Sequence, residues 1–174
     1  MTTSAAALSP PAAGIAAKTP LRWVLGKFAT GVAVIASQSD QGPVGVLVNS
    51  FTSVSLEPPT VLFCISTRSR TWPYIEKSGS FAASFLADGQ RAAAERFWRS
   101  DEDRFAGTPM ATATTGAPVL SEALGYVDCR VSEVATRDDH YVVFGEVLDA
   151  RILNTGKPLL FFQGAWNTSQ DPAI

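Results

Sequence analysis

The sequence predicts a β-barrel that carries a few short helices. Six or seven segments are short, apolar and rich in β-branched residues, and clusters of Gly, Pro, Asn or Ser separate them. These segments do not alternate regularly with helices, as a doubly wound parallel sheet would require. The chain has 174 residues, of which 46% are hydrophobic, so it can bury one sizeable core. One all-β domain with a few helices is therefore expected.

Strands are expected wherever an apolar run is bounded by turn residues. The predicted strands are 32–37, 44–51, 60–66, 80–87, 123–135, 140–151 and 158–163. The first two should form a hairpin, because "QSDQGPVG" between them is rich in turn residues. Pro58 and Pro59 lack the N–H that a central strand donates, so the third strand is expected to begin at Thr60. Residues 100–120 are predicted to be irregular.

Three short helices are expected from capping residues and from periodicity. Thr19 is a suitable cap for the first helix and Pro20 suits its first position. Its apolar residues fall on one face: Leu21, Val24, Leu25 and Phe28. The second helix is expected to end at Gly79, and the third to be capped by Asp88 before an Ala-rich stripe.

Composition excludes several classes of protein. The net charge is −2, which disfavours a general nucleic-acid binder, and no apolar run approaches the length of a membrane span. Cys64 and Cys129 lie in apolar, strand-like segments without a C-x-x-C motif, so two buried free thiols in a reducing compartment are expected. With His140 as its one histidine, the chain lacks a multi-histidine metal site.

The two ends of the chain are predicted to be tails around one domain. Residues 1–19 are rich in Ala, Ser and Pro, but they lack the basic start and apolar stretch of a secretory signal. We therefore predict a mobile tail at 1–19, a domain at 20–166, a second tail at 167–174 and a cytoplasmic location.

Standard catalytic motifs are absent from the sequence. It contains neither of the common glycine-rich phosphate loops and no G-x-S-x-G. A Ser-His-Asp triad would have to use His140, and the neighbouring Asp138 and Asp139 are weak evidence for one, since a triad is defined by spatial geometry.

Two hydroxyl-rich segments are the sequence's main chemical signal. "NSFTSVS" (49–55) precedes Pro-Pro, and "STRSRT" (66–71) combines short hydroxyls with Arg68 and Arg70. Short hydroxyls, free N–H groups and a nearby arginine are what a phosphate monoester and a polar heteroaromatic edge require. A solvated Ser/Thr-rich turn is the alternative interpretation.

Six blocks of the chain resemble the flavin reductase-like family, the small reductase components of two-component flavin-dependent monooxygenases. In order they are "FATGVAVIAS", "GVLVNSFTSVSLEPPTVLFCIS", "FAASFLADGQRAAAERF", "GAPVLSEALGYVDCRV", "DDHYVVFGEV" and "PLLFFQGAW". The likeness covers about residues 21–166. It implies an FMN-binding split β-barrel that works as a homodimer.

The resemblance also implies a set of cofactor-binding residues. The isoalloxazine ring would be lined, largely by main-chain groups, by Val48, Asn49, Ser50, Phe51 and Thr52. For Phe51, pure core packing is the alternative, and it is nearly as well supported as a ring contact. The flavin phosphate would approach Ser66, Ser69 and Thr71, although Ser69 and Thr71 also suit helix capping.

The remaining implied site residues lie further along the chain. His140 matches the family's Gly-Asp-His motif, where the histidine sits beside flavin and nicotinamide, but Asp138 replaces the Gly. Ser84 stands where the family often has Asn, which puts a side-chain contact there in question. Gln90 and Arg91 open the Ala-rich helix near the flavin site, and Arg91 equally suits a solvated face.

The implied activity is an NAD(P)H:flavin oxidoreductase. It would reduce FMN or FAD with NADH, or with NADPH, and supply diffusible reduced flavin to a separate monooxygenase or halogenase. Two alternatives stay open: a tight flavin-binding electron-transfer protein without NAD(P)H turnover, and a barrel with a purely structural role.

Overall fold

Strands dominate the chain, as predicted. The computed structural model describes residues 20–99 and 103–170, and in those ranges it contains twelve strands and three short α-helices. The predicted N-terminal tail, residues 1–19, lies outside the described residues, together with Thr19 as a possible helix cap. No helix within the described ranges has the length and apolar character needed to cross a membrane.

The elements follow one another without a repeating strand–helix unit. The strands are β1 (Thr30–Gly31), β2 (Ala33–Ser39), β3 (Gly42–Val48), β4 (Thr52–Leu56), β5 (Pro59–Ser66), β6 (Ser80–Phe85), β7 (Met110–Thr112), β8 (Pro118–Leu120), β9 (Gly125–Arg137), β10 (His140–Ile152), β11 (Leu159–Phe162) and β12 (Ala165–Thr168). The helices are α1 (Leu21–Leu25), α2 (Trp72–Ser78) and α3 (Arg91–Trp98). The predicted β-rich chain with a few short helices is confirmed.

One seven-stranded antiparallel sheet forms the body of the molecule. Its strand order is β3-β2-β6-β9-β10-β5-β4, and separate small sheets are formed by β1-β11-β12 and β7-β8. No ladder pairs the edge strands β3 and β4, so the sheet is not closed. The two edge strands are nevertheless consecutive in the chain, joined by residues 49–51. We call the gap between β3 and residues 64–71 the seam.

The main core lies on one face of this sheet. Phe63, Phe81, Ile75 and Val143 are fully buried there, and the rings of Phe63 and Phe81 meet edge to face at 5.0 Å. A Cβ on Gly145 would lie 2.6 Å from the Phe81 ring, so glycine leaves the space that this ring occupies. Burial of each large apolar side chain in this core stabilises the folded state by about 1.5–3 kcal/mol.

A second core joins α3 to the outer face of β3. Phe97 and Phe105 pack edge to face at 4.8 Å, and a Cβ on Gly45 would approach each ring to 2.9 Å. Gly45 therefore allows α3 and the following loop to lie directly against the edge strand.

Several local predictions need correction. Asp88 does not cap α3, since a 3₁₀ turn at Asp88–Gln90 intervenes and the Asp88 carboxylate accepts the N–H of Gly89 (2.8 Å). The helix begins at Arg91 instead. Strands β1, β4 and β12 were not predicted as separate strands, and β12 runs past residue 166 to Thr168. Residues 100–120 were predicted to be irregular, but β7 and β8 pair within this segment because Met110–Thr112 lies antiparallel to Pro118–Leu120. The end of the predicted C-terminal tail, residues 171–174, lies outside the described ranges.

The predictions for the second helix hold better than those for the first. As predicted, α2 ends at Gly79, which adopts the left-handed conformation (φ 67°) and donates its N–H to the carbonyl of Ile75 (3.0 Å). The apolar face predicted for α1 is exposed: Leu21, Val24, Leu25 and Phe28 are 54–76% accessible.

Candidate functional site

A cleft of about 490 Å³ opens where β3 ends. Its volume is in the range of small-molecule sites. The cleft is lined by Phe28, Ala29, Thr30, Gly31, Val32, Ala33, Asn49, Ser50, Phe51, Thr52, Phe85, Leu86, Leu124, Pro158 and Leu159. Four of the five residues predicted to line an isoalloxazine ring therefore meet in one place. The fifth, Val48, is buried and pairs with Ala33 behind the cleft.

The main chain of residues 49–51 leaves the sheet at this cleft. The β3 ladder ends with Val48, and pairing with β5 resumes at Thr52 opposite Leu62. No hydrogen bond among the described residues uses the main-chain N–H of Asn49, Ser50 or Phe51. Buried or half-buried N–H groups are normally paired, so these donors are available to a ligand or to solvent.

Ser50 bridges the seam through its side chain. Its Oγ accepts the N–H of Cys64 (2.9 Å) and donates to the carbonyl of the same residue (3.1 Å). The hydroxyl of Ser50 is therefore engaged within the protein, and its main-chain N–H is the group left for a ligand.

Aromatic side chains form one wall of the cleft. Phe51 packs against Phe85 with ring centroids 5.2 Å apart, and it also contacts the main core. Phe51 thus combines the two roles that the sequence left open, since it both packs and lines the cleft. Phe28 is 76% exposed at the rim. The cleft consequently offers apolar surface to a flat ring and polar N–H groups to its edge.

Thr30 is a cleft residue that the sequence did not single out. It lies on β1, and its Oγ1 is buried with no hydrogen-bond partner among the described atoms. A buried hydroxyl without a partner costs roughly 1–3 kcal/mol, so such groups point to a missing partner. Only the pairing of Thr30 with Phe161 brings it to the cleft, and no local signal reveals this.

The hydroxyls of the 66–71 loop make short-range bonds along the seam. Ser66 Oγ accepts the N–H of Arg68 and Ser69 Oγ accepts the N–H of Thr71, both at 3.2 Å. Thr71 occupies the N-cap position of α2 but its hydroxyl does not cap the helix. It donates instead to the carbonyl of Gly45 on β3 (3.2 Å). Helix capping by the side chains of Ser69 or Thr71 is therefore not observed.

Arg104 reaches the same place from the loop after α3. Its Nη1 donates to the carbonyl of Gly45 (2.6 Å) and to Thr71 Oγ1 (3.3 Å), while Nε donates to the carbonyl of Arg99 (3.0 Å). Burial, reinforced by the positive charge of Arg70, lowers the pKa of Arg104 from its ordinary value. No sequence pattern selects Arg104, because its partner Gly45 lies 59 residues away in the chain.

His140 begins β10 and pairs with Ser66 on β5. Its imidazole is about half exposed, and Nδ1 lies 2.8 Å from Asp139 Oδ1. This hydrogen bond, with the charge of the imidazole, holds the pKa of Asp139 below its usual range. His140 does not line the cleft but stands beside the 66–71 loop, which is joined to it by the bond from Thr67 N–H to Asp139 O (2.9 Å).

Asp138 adopts the left-handed backbone conformation that a glycine at this position would favour. Its φ is +51°, in the left-handed region that only Gly, Asn and Asp adopt readily. Replacement of Gly by Asp in the Gly-Asp-His motif therefore leaves a left-handed turn before His140, at a cost of about 1 kcal/mol in backbone strain.

Of the eleven predicted cofactor-binding residues, seven do not line the cleft: besides Val48, Ser66, Ser69 and Thr71, these are Ser84, Gln90 and Arg91. Ser84 is fully buried in β6, and its hydroxyl accepts the N–H of Leu120 (3.1 Å), so it has no access to a ligand. Gln90 is buried and its side chain accepts the N–H of Ala87 (3.0 Å). Arg91 is exposed and forms an i,i+4 ion pair with Glu95 (2.9 Å), which matches its alternative role on a solvated face.

Other reactive groups are placed away from the cleft. Cys129 is buried, as predicted, and Cys64 is half-buried. Burial, together with the charge of Asp128, raises the pKa of Cys129 to about 12. In the described part of the chain, no three His, Cys, Asp or Glu residues cluster closely enough to hold a metal ion.

Comparison with known proteins links this geometry to flavin chemistry. Residues 25–169 match the family model of the flavin reductase-like domain. The chain is 41% identical over 145 residues to the reductase subunit of a flavin-dependent monooxygenase from Rhodococcus jostii. That alignment covers 83% of this chain and 74% of the relative.

Solved structures share the fold over most of the chain. Component B of nitrilotriacetate monooxygenase from Mycobacterium thermoresistibile superposes with a TM-score of 0.84 at 38% identity, covering 86% of this chain and 85% of that one. An NADH:FAD oxidoreductase from Streptomyces globisporus, in complex with NAD and FAD fragments, gives a TM-score of 0.80 at 33% identity, covering 84% and 89%.

Proposed function

The chain belongs to the flavin reductase-like domain family, and from this premise we propose that it is an NAD(P)H:flavin oxidoreductase. It reduces FMN or FAD and releases the reduced flavin to a separate monooxygenase or halogenase. The relative from Rhodococcus jostii is named as the reductase subunit of such a monooxygenase, which supports this proposal. NADH is the proposed donor, because a structural neighbour is named an NADH:FAD oxidoreductase.

The observation that carries the proposal is the chemistry of the cleft. A flavin ring has flat apolar faces and a polar edge that accepts and donates hydrogen bonds. The described cleft offers unpaired N–H groups at Asn49, Ser50 and Phe51, the unpartnered hydroxyl of Thr30, and a wall formed by Phe51 and Phe85. These are the kinds of group that an isoalloxazine ring requires, apolar surface for its faces and hydrogen-bond donors for its edge.

The chain's own residues have a binding and orienting task. When both substrates are bound, the dihydronicotinamide supplies a hydride and solvent supplies a proton, which yields oxidised nucleotide and reduced flavin. Neither transfer requires a protein nucleophile, in accord with the absence of a triad motif from the sequence. The cleft holds the ring in place, and the N–H groups of residues 49–51 favour negative charge at its polar edge.

His140 is proposed to position the nicotinamide. It stands beside the 66–71 loop with an exposed imidazole, and Asp139 fixes its orientation through the 2.8 Å contact at Nδ1. This contact leaves Nε2 available to bond a carboxamide. Its role is that of a positioning residue, since the hydride moves between the two rings.

The architecture and assembly complete the proposal. We interpret the curled, unclosed sheet with its seam as a split barrel, and we propose a cytoplasmic homodimer. The exposed apolar residues of α1, including Leu21 and Leu25 at 70% and 61% accessibility, are candidates for burial against a second copy. Light scattering after size exclusion would measure the oligomeric state, and a monomer at micromolar concentration would contradict a dimer.

Steady-state kinetics test the proposed function. Oxidation of NADH and of NADPH is measured with FMN, FAD or riboflavin as acceptor, against mixtures that lack the protein. Turnover with NADH and at least one flavin is expected. If no flavin supports oxidation above the protein-free rate, the enzyme proposal fails, and tight flavin binding without turnover would favour the electron carrier.

A further inference from the structure

We propose that Arg104 binds the phosphate group of the flavin and thereby makes the enzyme prefer phosphorylated flavins over riboflavin. This inference rests on the proposed function. It concerns a residue that the resemblance to the family does not include among the phosphate-binding groups, which were Ser66, Ser69 and Thr71 with Arg68 or Arg70.

Arg104 is a half-buried cation without a carboxylate partner in the described part of the chain. Its bonds go to the carbonyls of Gly45 and Arg99 and to the hydroxyl of Thr71. The guanidinium groups of Arg91, Arg130 and Arg151, by contrast, each pair with a carboxylate at the surface. A partly desolvated charge is costly unless it is paired, so the lack of a carboxylate partner among the described residues makes Arg104 a candidate to bind an anion.

Arg70 adds a second positive charge near Arg104. Arg70 lies close enough to Arg104 for its charge to lower the pKa of Arg104 further, after the effect of burial. Two like charges at one end of the seam repel each other, and a bound phosphate would relieve both the repulsion and the desolvation.

The guanidinium of Arg104 is held in a fixed orientation, and one of its nitrogens has no hydrogen-bond acceptor among the described atoms. Nε and Nη1 are held by three hydrogen bonds, which fix the plane of the guanidinium against β3. No described atom accepts a hydrogen bond from Nη2, so this nitrogen keeps its donors for a ligand. A fixed guanidinium loses little side-chain entropy when it binds a phosphate.

Arg104 lies beside the strand that leads into the cleft. Arg104 contacts Gly45, and β3 runs from Gly45 through Val48 directly into residues 49–52 of the cleft. At about 3.3 Å per residue, Gly45 lies roughly 13 Å along the strand from Asn49. The seam between them is bordered by Ser66 and Ser69 on the opposite side. A ring in the cleft would therefore extend its ribityl phosphate toward Arg104.

Binding of FMN and riboflavin to the full-length chain tests the proposal. Arg104→Gln keeps hydrogen-bond donors but removes the charge, and it should raise the Kd for FMN about 10- to 100-fold while leaving the Kd for riboflavin unchanged. Arg104→Lys should restore part of the FMN affinity, and Arg70→Gln should weaken FMN binding by a smaller factor. Arg130→Gln, at an exposed ion pair, is the matched control and should alter neither affinity.

Equal weakening of FMN and riboflavin in Arg104→Gln, or no change in either, would overturn the proposal in favour of a structural role. Should Arg104→Gln fail to fold, inorganic phosphate is titrated against the wild-type protein instead. It should compete with FMN and not with riboflavin, and equal wild-type affinity for both flavins would contradict the inference. These titrations do not depend on turnover, whereas the absence of NADH oxidation with every flavin tested would count against the proposed function alone.

Discussion

The hydroxyl of Ser50 takes the place of a strand partner for Cys64. It accepts the N–H of Cys64 at 2.9 Å and donates to its carbonyl at 3.1 Å, so one side chain satisfies both main-chain groups of a residue at the open seam. The main chain of Ser50 is thereby held away from the ladder, and its own N–H remains available in the cleft. This bridge connects the shape of the sheet to the candidate site.

Loss of the bridge should weaken both the fold and the site. Ser50→Ala removes two hydrogen bonds, so we expect the free energy of unfolding in urea to fall by about 1–2 kcal/mol and the Kd for flavin to rise. Ser53→Ala, an exposed serine on the neighbouring strand β4, is the control and should stay within about 0.5 kcal/mol of wild type. Wild-type stability in Ser50→Ala would show that the bridge is dispensable.

Removal of the unpartnered hydroxyl of Thr30 should weaken flavin binding without lowering the stability of the ligand-free protein. Thr30→Val replaces a buried, unbonded Oγ1 with a methyl group, so the ligand-free protein should be unchanged or more stable by up to about 1 kcal/mol. Flavin affinity, measured by fluorescence quenching, should nevertheless fall several-fold. Thr112→Val, on the exposed strand β7, should change neither quantity. Unaltered flavin affinity in Thr30→Val would remove Thr30 from the site.

Substitution of His140 should affect the nucleotide rather than the fold. In His140→Ala we expect the KM for NADH to rise, or flavin reduction to slow, by about tenfold, the equivalent of one hydrogen bond of about 1.4 kcal/mol. Thermal unfolding should be nearly unchanged because the imidazole is about half exposed. Kinetics identical to wild type would exclude His140 from the site.

The buried thiol of Cys129 should make stability fall at alkaline pH. Its pKa is raised to about 12, chiefly by burial, whereas an unfolded cysteine titrates near about 8.5. Above that lower value the unfolded chain releases a proton that the folded protein keeps, so the stabilising contribution present at neutral pH is lost as the pH rises. Between pH 7 and pH 10 the wild type should lose about 2 kcal/mol more than Cys129→Ala.

Urea unfolding at these two pH values measures that difference, and other titrating groups cancel in the comparison. Cys64→Ala retains Cys129 and should therefore still lose the contribution of Cys129 between pH 7 and pH 10. Parallel pH dependence in wild type and Cys129→Ala would contradict the assignment of the shift to Cys129.

Local chemistry determined the parts of the fold that the sequence predicted well. The hairpin of β2 and β3 and the end of α2 at Gly79 depend on neighbouring residues, and both were found as predicted. Strand β4 was missed because its exposed Thr and Ser residues resemble a loop, and only pairing with β5 makes it a strand. The 3₁₀ turn before α3 likewise depends on a tertiary contact, from Asp88 N–H to the carbonyl of Lys157 (2.9 Å).

The candidate site likewise contains residues that a local sequence pattern selects and residues that only the tertiary fold brings in. Asn49, Ser50, Phe51 and Thr52 are contiguous, so a pattern in one segment was enough to select them. Thr30 and Arg104 come from distant segments and reach the site only through pairing with β11 and through the carbonyl of Gly45. Ser84 was selected from its position in a family pattern, but burial against Leu120 gives it no access to a ligand.

A crystal structure of the protein with FMN tests the central claim most directly. We predict that the ring lies in the cleft, with its polar edge bonded by the N–H groups of residues 49–51 and its phosphate directed along the seam. A ring bound elsewhere, or N–H groups at 49–51 that pair only within the protein, would contradict the account.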